Sequence, residues 1–238
     1  MNNISLIIPI YNEEGNIRKL FQEIIFNIDE LNQYNFEVIF INDFSTDNSL
    51  NILNELLENN SILTILDNKK NLGQSKSILF GIKKAKYENI ITMDGDGQNN
   101  PIDLKKIINI YFSENADLVS GIRKNRKDNY IKVYSSKIAN IFRSYFLKDK
   151  CKDTGCSLKI FKKDMFLSFP FFDGIHRFIP SLFNGYDQKV IFIDVEHRPR
   201  DFGSSKYGTI KRLFNGIVDM IRVFFIIKRY KRNKNYRD

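Results

Sequence analysis

Two carboxylates and an amide oxygen fall within five residues in Asp94-Gly95-Asp96-Gly97-Gln98. Hard divalent cations take oxygen ligands, and Mg²⁺ or Mn²⁺ often bridges a carboxylate and phosphates. The glycines let the backbone approach a ligand closely. An Asp-x-Asp triplet alone is common in turns, but this one follows an apolar run and precedes Gln98 and Pro101. Asp43-Phe-Ser-Thr46-Asp47-Asn-Ser49 follows a second apolar run. Asp47 or Thr46 suits a helix cap, whereas Asp43 suits accepting hydrogen bonds from a base N–H. Pro9-Ile-Tyr11-Asn-Glu13-Glu14 follows a third run. Tyr11 could pack on a base or ribose and Glu13 could bond a ribose hydroxyl or the base, although acidic residues also suit a helix N-terminus.

The elements that must position these residues follow from hydrophobic period. Apolar runs over 5–9, 36–42, 62–66, 89–93 and 117–120 predict strands. Helix-period stretches over 13–31, 47–58 and 74–86 separate them, and another begins near Pro101, a residue suited to a first helical position. Nearly continuous apolar strands alternating with helices imply an α/β fold, with a mostly parallel sheet covered on both faces. In such sheets ligands bind at the carboxyl ends of the strands. All three polar motifs fall at such ends. The second half is less regular, with strands predicted over 157–161 and 190–195. Amphipathic basic helices are predicted over 130–147 and 208–227.

The chain has 238 residues, 42% of them hydrophobic, enough for a full core. Net charge is +9. Of 37 Lys and Arg, nine lie in 122–150 and twelve in 197–238, where only two and three of the 28 acidic residues fall. The excess positive charge is therefore confined to two segments on a net acidic body. Such segments suit anionic partners. Cys151 and Cys156, with no secretory signal before the first strand, read as reduced thiols. No apolar run approaches the ~20 residues needed to span a bilayer.

Ile8-Pro-Ile-Tyr-Asn-Glu-Glu14, Ile41-Asn-Asp-Phe-Ser-Thr-Asp47, Asn71-Leu-Gly-Gln74 and Asp94-Gly-Asp-Gly-Gln98 resemble the GT-A, family 2 glycosyltransferases. Asp153-Thr-Gly-Cys-Ser-Leu158, His176-Arg-Phe178, His197-Arg-Pro-Arg200 and Gly203-Ser-Ser-Lys-Tyr-Gly208 resemble the dolichol-phosphate mannosyltransferase branch and its bacterial polyprenyl-phosphate relatives. The resemblance implies a GT-A, Rossmann-like fold and a set of roles. Pro9, Tyr11, Glu13, Ile41, Asp43 and Gln74 would hold the donor nucleotide. Asp94 and the Gly95 backbone would meet its ribose or diphosphate. Asp96 and Gln98, with Asp94, would hold Mg²⁺ or Mn²⁺. Arg123, Lys132 and Ser136 would meet the acceptor phosphate, Lys132 departing from an Arg in relatives and so lacking the bidentate fork. Arg200, Ser205 and Lys206 would close on the donor phosphates.

A phosphate acceptor is already ionised near neutral pH, so attack needs no general base, and direct attack implies inversion. The expected reaction moves a sugar from a GDP- or UDP-sugar to a dolichyl or undecaprenyl phosphate. The alternative is a family 2 transferase acting on a saccharide, which would need a base, with Asp153 and Asp173 as candidates. A nucleotidyltransferase lacks its Gly-rich phosphate loop here, and a nucleic-acid binder lacks a recognition motif. The expected organisation is a catalytic domain over 1–206 and a basic amphipathic membrane-surface element over 207–238. The protein is then peripheral at the cytoplasmic face of the membrane, meeting anionic lipid, and could be a homo-oligomer or use a membrane partner protein.

Overall fold

The computed structural model describes residues 2–124, 143–144, 146–149, 151, 153–200 and 209–235. From the N-terminus the elements are β1 (Asn2–Ile10), α1 (Ile17–Asp29), β2 (Tyr34–Asn42), α2 (Ser49–Glu58), β3 (Leu63–Asp67), α3 (Gln74–Lys84), β4 (Asn89–Thr92), α4 (Asp103–Ser113) and β5 (Leu118–Arg123). Then come β6 (Lys159–Lys162), α5 (Lys163–Ser168), a 3₁₀ turn (Ile175–Arg177), α6 (Ile179–Gly185), β7 (Val190–Val195) and α7 (Thr209–Lys234). Among the described residues the strands form a seven-stranded sheet of order β3-β2-β1-β4-β6-β5-β7. Every neighbouring pair is parallel except those of β6, which runs antiparallel to both β4 and β5. This is the mostly parallel α/β sheet expected, with the GT-A arrangement.

Strand period divides the core in two. In β1, Ile4, Leu6, Ile8 and Ile10 face one side with Leu20, Phe21 and Ile24 of α1 and Leu104, Ile107 and Ile108 of α4. Ile7 faces the other with Ile78 and Ile82 of α3 and Leu182 and Phe183 of α6. Burying such a side chain contributes roughly 1.5–3 kcal/mol, so a one-residue slip of β1 would exchange both cores at once. At the amino ends of the strands, Ser5 donates to Glu37 at 2.5 Å and the Glu37 carboxylate accepts from Lys86 N–H at 2.6 Å. That contact ends α3 at Lys84, before the expected 86, and directs the chain into β4.

α1 begins at Ile17, four residues later than the sequence pattern indicates. Glu13 instead lies in a turn whose carbonyl accepts from Asn16 N–H at 2.8 Å. Asn12 before it has φ +54. The expected helix over 130–147 lies mostly outside the described residues. At its end, Arg143 and Leu147 are buried, and Arg143 pairs with buried Asp149. α7 continues past the expected 227. Its Val223 and Ile227 enter the second core, and Tyr230 stacks on Tyr186 with ring centroids 3.9 Å apart.

Candidate active site

Three loops meet where the parallel strands end. The first leaves β1, the second leaves β2 and the third leaves β4. The first two lock together: Asn12 N–H donates to Ser45 Oγ at 3.0 Å, Thr46 N–H donates to Asn12 Oδ1 at 2.7 Å, and Glu13 N–H donates to Ser49 Oγ at 2.9 Å. Asn12 and Phe44 both sit at positive φ, +54 and +63. A bulky aromatic held there is a strained conformation found preferentially at binding sites. It leaves Phe44 about half exposed beside buried Asp43, with Tyr11 also exposed. Phe44 is an exposed aromatic surface beside these loops that sequence reasoning did not assign. Its only sequence signal was an apolar residue inside a polar loop.

Asp43 is committed to its own chain. Its carboxylate accepts from Leu72 N–H, Gly73 N–H and Asn68 Nδ2, each at 2.8 Å. It fixes the loop that leads into α3, and a carboxylate with about four lone-pair sites can still take one more donor. Ile41 is placed differently. Its side chain is fully buried and packs under Gly81, where a Cβ would lie 2.8 Å from Ile41 Cδ1. Pro9 lies in β1 opposite Ile41, and its carbonyl bounds the turn of Gly95.

The third loop carries the acidic pair. Asp94 N–H is held by Ser157 Oγ at 3.1 Å and by Asn99 Oδ1 at 3.3 Å, and its carboxylate accepts from Gln74 Nε2 at 2.7 Å. Asn99 and Ser157, to which the sequence reading gave no role, hold the Asp94 backbone. Gly95 has no room for a side chain, because a Cβ would collide with Ile10 and lie 3.0 Å from Pro9 O. Gly97 has φ +74, and Gln98 N–H returns to Asp96 Oδ1 at 3.2 Å. Burial first, and then repulsion from Asp96, pushes the Asp94 carboxyl up to about 6, with Lys159 and Arg123 pulling the other way. A divalent cation would relieve that stored repulsion. The donor set is all oxygen, from Asp94, Asp96 and Gln98, and it fits Mg²⁺ or Mn²⁺. Such ions are commonly held by one or two carboxylates and completed by phosphates and water.

Two long-range ion pairs close the site. Asp153 grips Arg123 in a fork, with Nε at 2.7 Å and Nη2 at 2.8 Å, and also accepts the Arg123 backbone N–H at 3.1 Å. Gly155 makes room for that guanidinium, since a Cβ there would lie 2.5 Å from Nη2. Arg200 pairs with the buried Glu13 carboxylate. The segment leading to Arg200 crosses the acidic loop: Arg198 N–H donates to Gln98 O at 2.9 Å, and Asn99 bridges to His197. The expected donor-side residue Glu13 and the expected phosphate-side residue Arg200 are thus brought together. Lys132, Ser136, Ser205 and Lys206 lie outside the described residues. Cys151 and Cys156 are buried, and burial pushes both thiols up to about 11. They are therefore poor nucleophiles.

Residues 5–171 match the family model for glycosyl transferase family 2. The chain is 31% identical over 223 residues to the undecaprenyl-phosphate 4-deoxy-4-formamido-L-arabinose transferase of Proteus mirabilis, covering 93% of this chain and 67% of that one. It is 34% identical over 232 residues to the dodecaprenyl-phosphate galacturonate synthase of Rhizobium johnstonii, covering 96% and 68%. Among solved structures, glucosyl-3-phosphoglycerate synthase of Mycobacterium tuberculosis, in complex with Mn²⁺, UDP and glucosyl-3-phosphoglycerate, superposes with a TM-score of 0.70 at 14% identity, covering 95% of this chain and 80% of that one. S. aureus TarS in complex with UDP-GlcNAc gives a TM-score of 0.63 at 18% identity, covering 94% and 66%. These two likenesses concern the fold. With the sequence relatives and the acidic loop at the end of β4, the matched family places the chain: it is a glycosyltransferase and belongs to glycosyl transferase family 2.

Proposed function

We propose that the protein transfers a sugar, with inversion, from a GDP- or UDP-sugar to a polyprenyl phosphate. The Arg123–Asp153 fork is the observation that carries this reading. A saccharide hydroxyl needs a carboxylate base, and Asp153 is already held by a guanidinium, with side-chain exposures of 14% for Arg123 and 7% for Asp153. The other candidate base, Asp173, lies on the surface against Lys76 at 3.3 Å. A phosphate acceptor needs no base. It needs a positioned cation, and Asp153 positions Arg123 for that purpose. The two named relatives are polyprenyl-phosphate enzymes by their descriptions, which supports the same acceptor.

In the proposed reaction a lipid phosphate oxygen attacks the anomeric carbon. The bond from that carbon to the diphosphate breaks, and its electron pair leaves with the nucleoside diphosphate. An α-linked donor gives a β-linked lipid phosphosugar. Asp94, Asp96 and Gln98 would hold Mg²⁺ or Mn²⁺, which when bound neutralises charge on the leaving diphosphate. Tyr11 and Phe44 would flank the base. Gln74 holds Asp94 in place, and Arg123 would draw the acceptor phosphate into line. Arg200, released from Glu13, and Lys206 would cover the donor diphosphate.

The protein would work as a peripheral protein at the cytoplasmic membrane face, on anionic lipid, alone or with a further copy or a membrane partner. Residues 207–238 would be its membrane-surface element. No helix among the described residues is long and apolar enough to cross a membrane. α7 nevertheless exposes Ile217, Ile221 and Phe225 at helical spacing, followed by exposed Lys228, Arg229, Lys231 and Arg232. This pattern suits an interfacial helix. The test is incubation with Mg²⁺ or Mn²⁺, polyprenyl phosphate and labelled nucleotide sugars, with Asp96→Ala as control. Label should move into acid-labile lipid with the wild type and not with the variant. Donor-dependent labelling of a saccharide, with none in lipid, would refute the acceptor assignment.

A further inference from the structure

Beside Asp94 lies a small cleft of ≈ 60 Å³, walled by Gln74, Asp94, Thr154, Lys159 and His176. That is room for a substituent of a ligand rather than for a whole one. Its walls are held rigidly. Ser75 Oγ lies 2.6 Å from His176 Nδ1 and accepts from Gly174 N–H at 2.8 Å, so α3 and the 3₁₀ turn move together. Lys159 comes from the antiparallel strand β6, in register with Thr92 of β4 and Ser120 of β5. Its side chain is buried to 2% exposure. The ammonium has three donors, and among the described residues its hydrogen bond is to Cys156 O. Asp94 and Asp153 supply opposite charge nearby.

A buried ammonium with donor capacity to spare is costly unless an oxygen acceptor completes it. A water or a sugar hydroxyl could do so in part. A carbonyl oxygen does so better, because it accepts without bringing a competing donor, and a carboxylate adds charge. The cleft adjoins Asp94, where the donor diphosphate would sit, so its natural occupant is a substituent on the ring of the transferred sugar.

We infer that Lys159 is a specificity-determining residue, receiving a carbonyl oxygen, of a carboxylate or an amide, carried on the ring of the transferred sugar. This rests on the reading of the acidic loop as a nucleotide-sugar site, but it does not depend on which acceptor is used. Titration calorimetry with Mn²⁺ therefore tests it without lipid. The probes are UDP-glucuronate and UDP-galacturonate for the carboxylate, UDP-N-acetylglucosamine for the amide, and UDP-glucose and UDP-galactose as hydroxyl counterparts. UDP and GDP alone report whether the nucleotide site exists at all, and if only GDP binds the same comparison is made with GDP-mannuronate against GDP-mannose.

At least one carbonyl-bearing probe should bind about tenfold or more tighter than its hydroxyl counterpart, the order expected for a hydrogen bond to a charged group. Lys159→Met should collapse that ratio, and Lys159→Arg should keep most of it. Equal binding of both classes by the wild type overturns the inference, and this outcome can be read even if Lys159→Met fails to fold. So does a Lys159→Met variant that weakens every probe equally, which would mean a purely structural lysine. Absence of binding of both UDP and GDP would instead remove the nucleotide-sugar reading itself.

Discussion

Asp94 shows at the scale of one side chain how a site stores cost for later use. An ordinary aspartate with a value of 3.8 is pushed to about 6, by burial first and by Asp96 second. Between those values the folded chain binds more protons than the unfolded one. Stability therefore falls as pH rises through that window and is level above about 6. A neutral isostere escapes the penalty, about 3 kcal/mol at most for a carboxyl raised from 3.8 to about 6. Asp94→Asn should gain about 1–3 kcal/mol at pH 7, lose that gain by pH 4, and have no turnover. Denaturant unfolding at the two pH values measures it. Asp153 makes the opposite case. Asp153→Asn leaves the Arg123 guanidinium buried with half its fork, and should cost about 3 kcal/mol. Its transfer rate should fall with the KM for lipid phosphate raised and the nucleotide affinity unchanged. Weakened nucleotide binding instead would place Arg123 on the donor side.

The acidic loop is the element whose shape decides activity, and glycine decides the shape. Gly95 lies so close to Ile10 and to the Pro9 carbonyl that a methyl group cannot be accommodated without moving a backbone oxygen of β1. Gly95→Ala should destabilise the fold by about 1–3 kcal/mol, as overpacking does, and should lower turnover at least about tenfold. A variant with a lower melting temperature and full activity would show that the loop tolerates displacement. β6 matters in the same way. Inserted antiparallel between β4 and β5, it sets Ser157 against the Asp94 backbone and Lys159 beside the cleft. The crossing segment through Arg198 clips the loop from above, and Glu23 anchors Arg198 at 2.7 Å.

Across the whole molecule, α7 has two faces that should respond differently to mutation. Val223 and Ile227 are core residues, and Gly185 of α6 lies so close that a Cβ there would meet Ile227 Cδ1 at 2.5 Å. Asp219 of α7 holds Arg177 at 2.8 Å, tying the helix to the 3₁₀ turn beside the cleft. Ile227→Ala should therefore cost about 2–5 kcal/mol. The opposite face carries Ile221 and Phe225, 43% and 60% exposed. Ile221→Asp with Phe225→Asp should leave the melting temperature within a few degrees while sharply reducing co-sedimentation with anionic vesicles. Unchanged vesicle binding would remove α7 from the membrane-contact reading.

Local period alone was enough to place the first five strands and the three polar loops at their carboxyl ends, because strand and helix alternation is written residue by residue. The helix starts were less legible. Glu13 looks like a first-turn acid, but it lies in the turn that interlocks with the loop of β2, and α1 starts only at Ile17; Asp47, expected as a cap, accepts from Ser49 N–H where α2 begins. What no spacing could show were the pairings across the chain: Asp153 on Arg123, Arg200 on Glu13, Asp43 on the loop before α3, and Lys159 beside Asp94. Each joins residues from different strands or loops, and their meeting depends on the path of the chain, above all on the reversal of β6. Residue types determined which chemistry was available here. The tertiary structure decided which carboxylates stay free to perform it, because an ion pair formed at a distance removes a candidate base as surely as a mutation would.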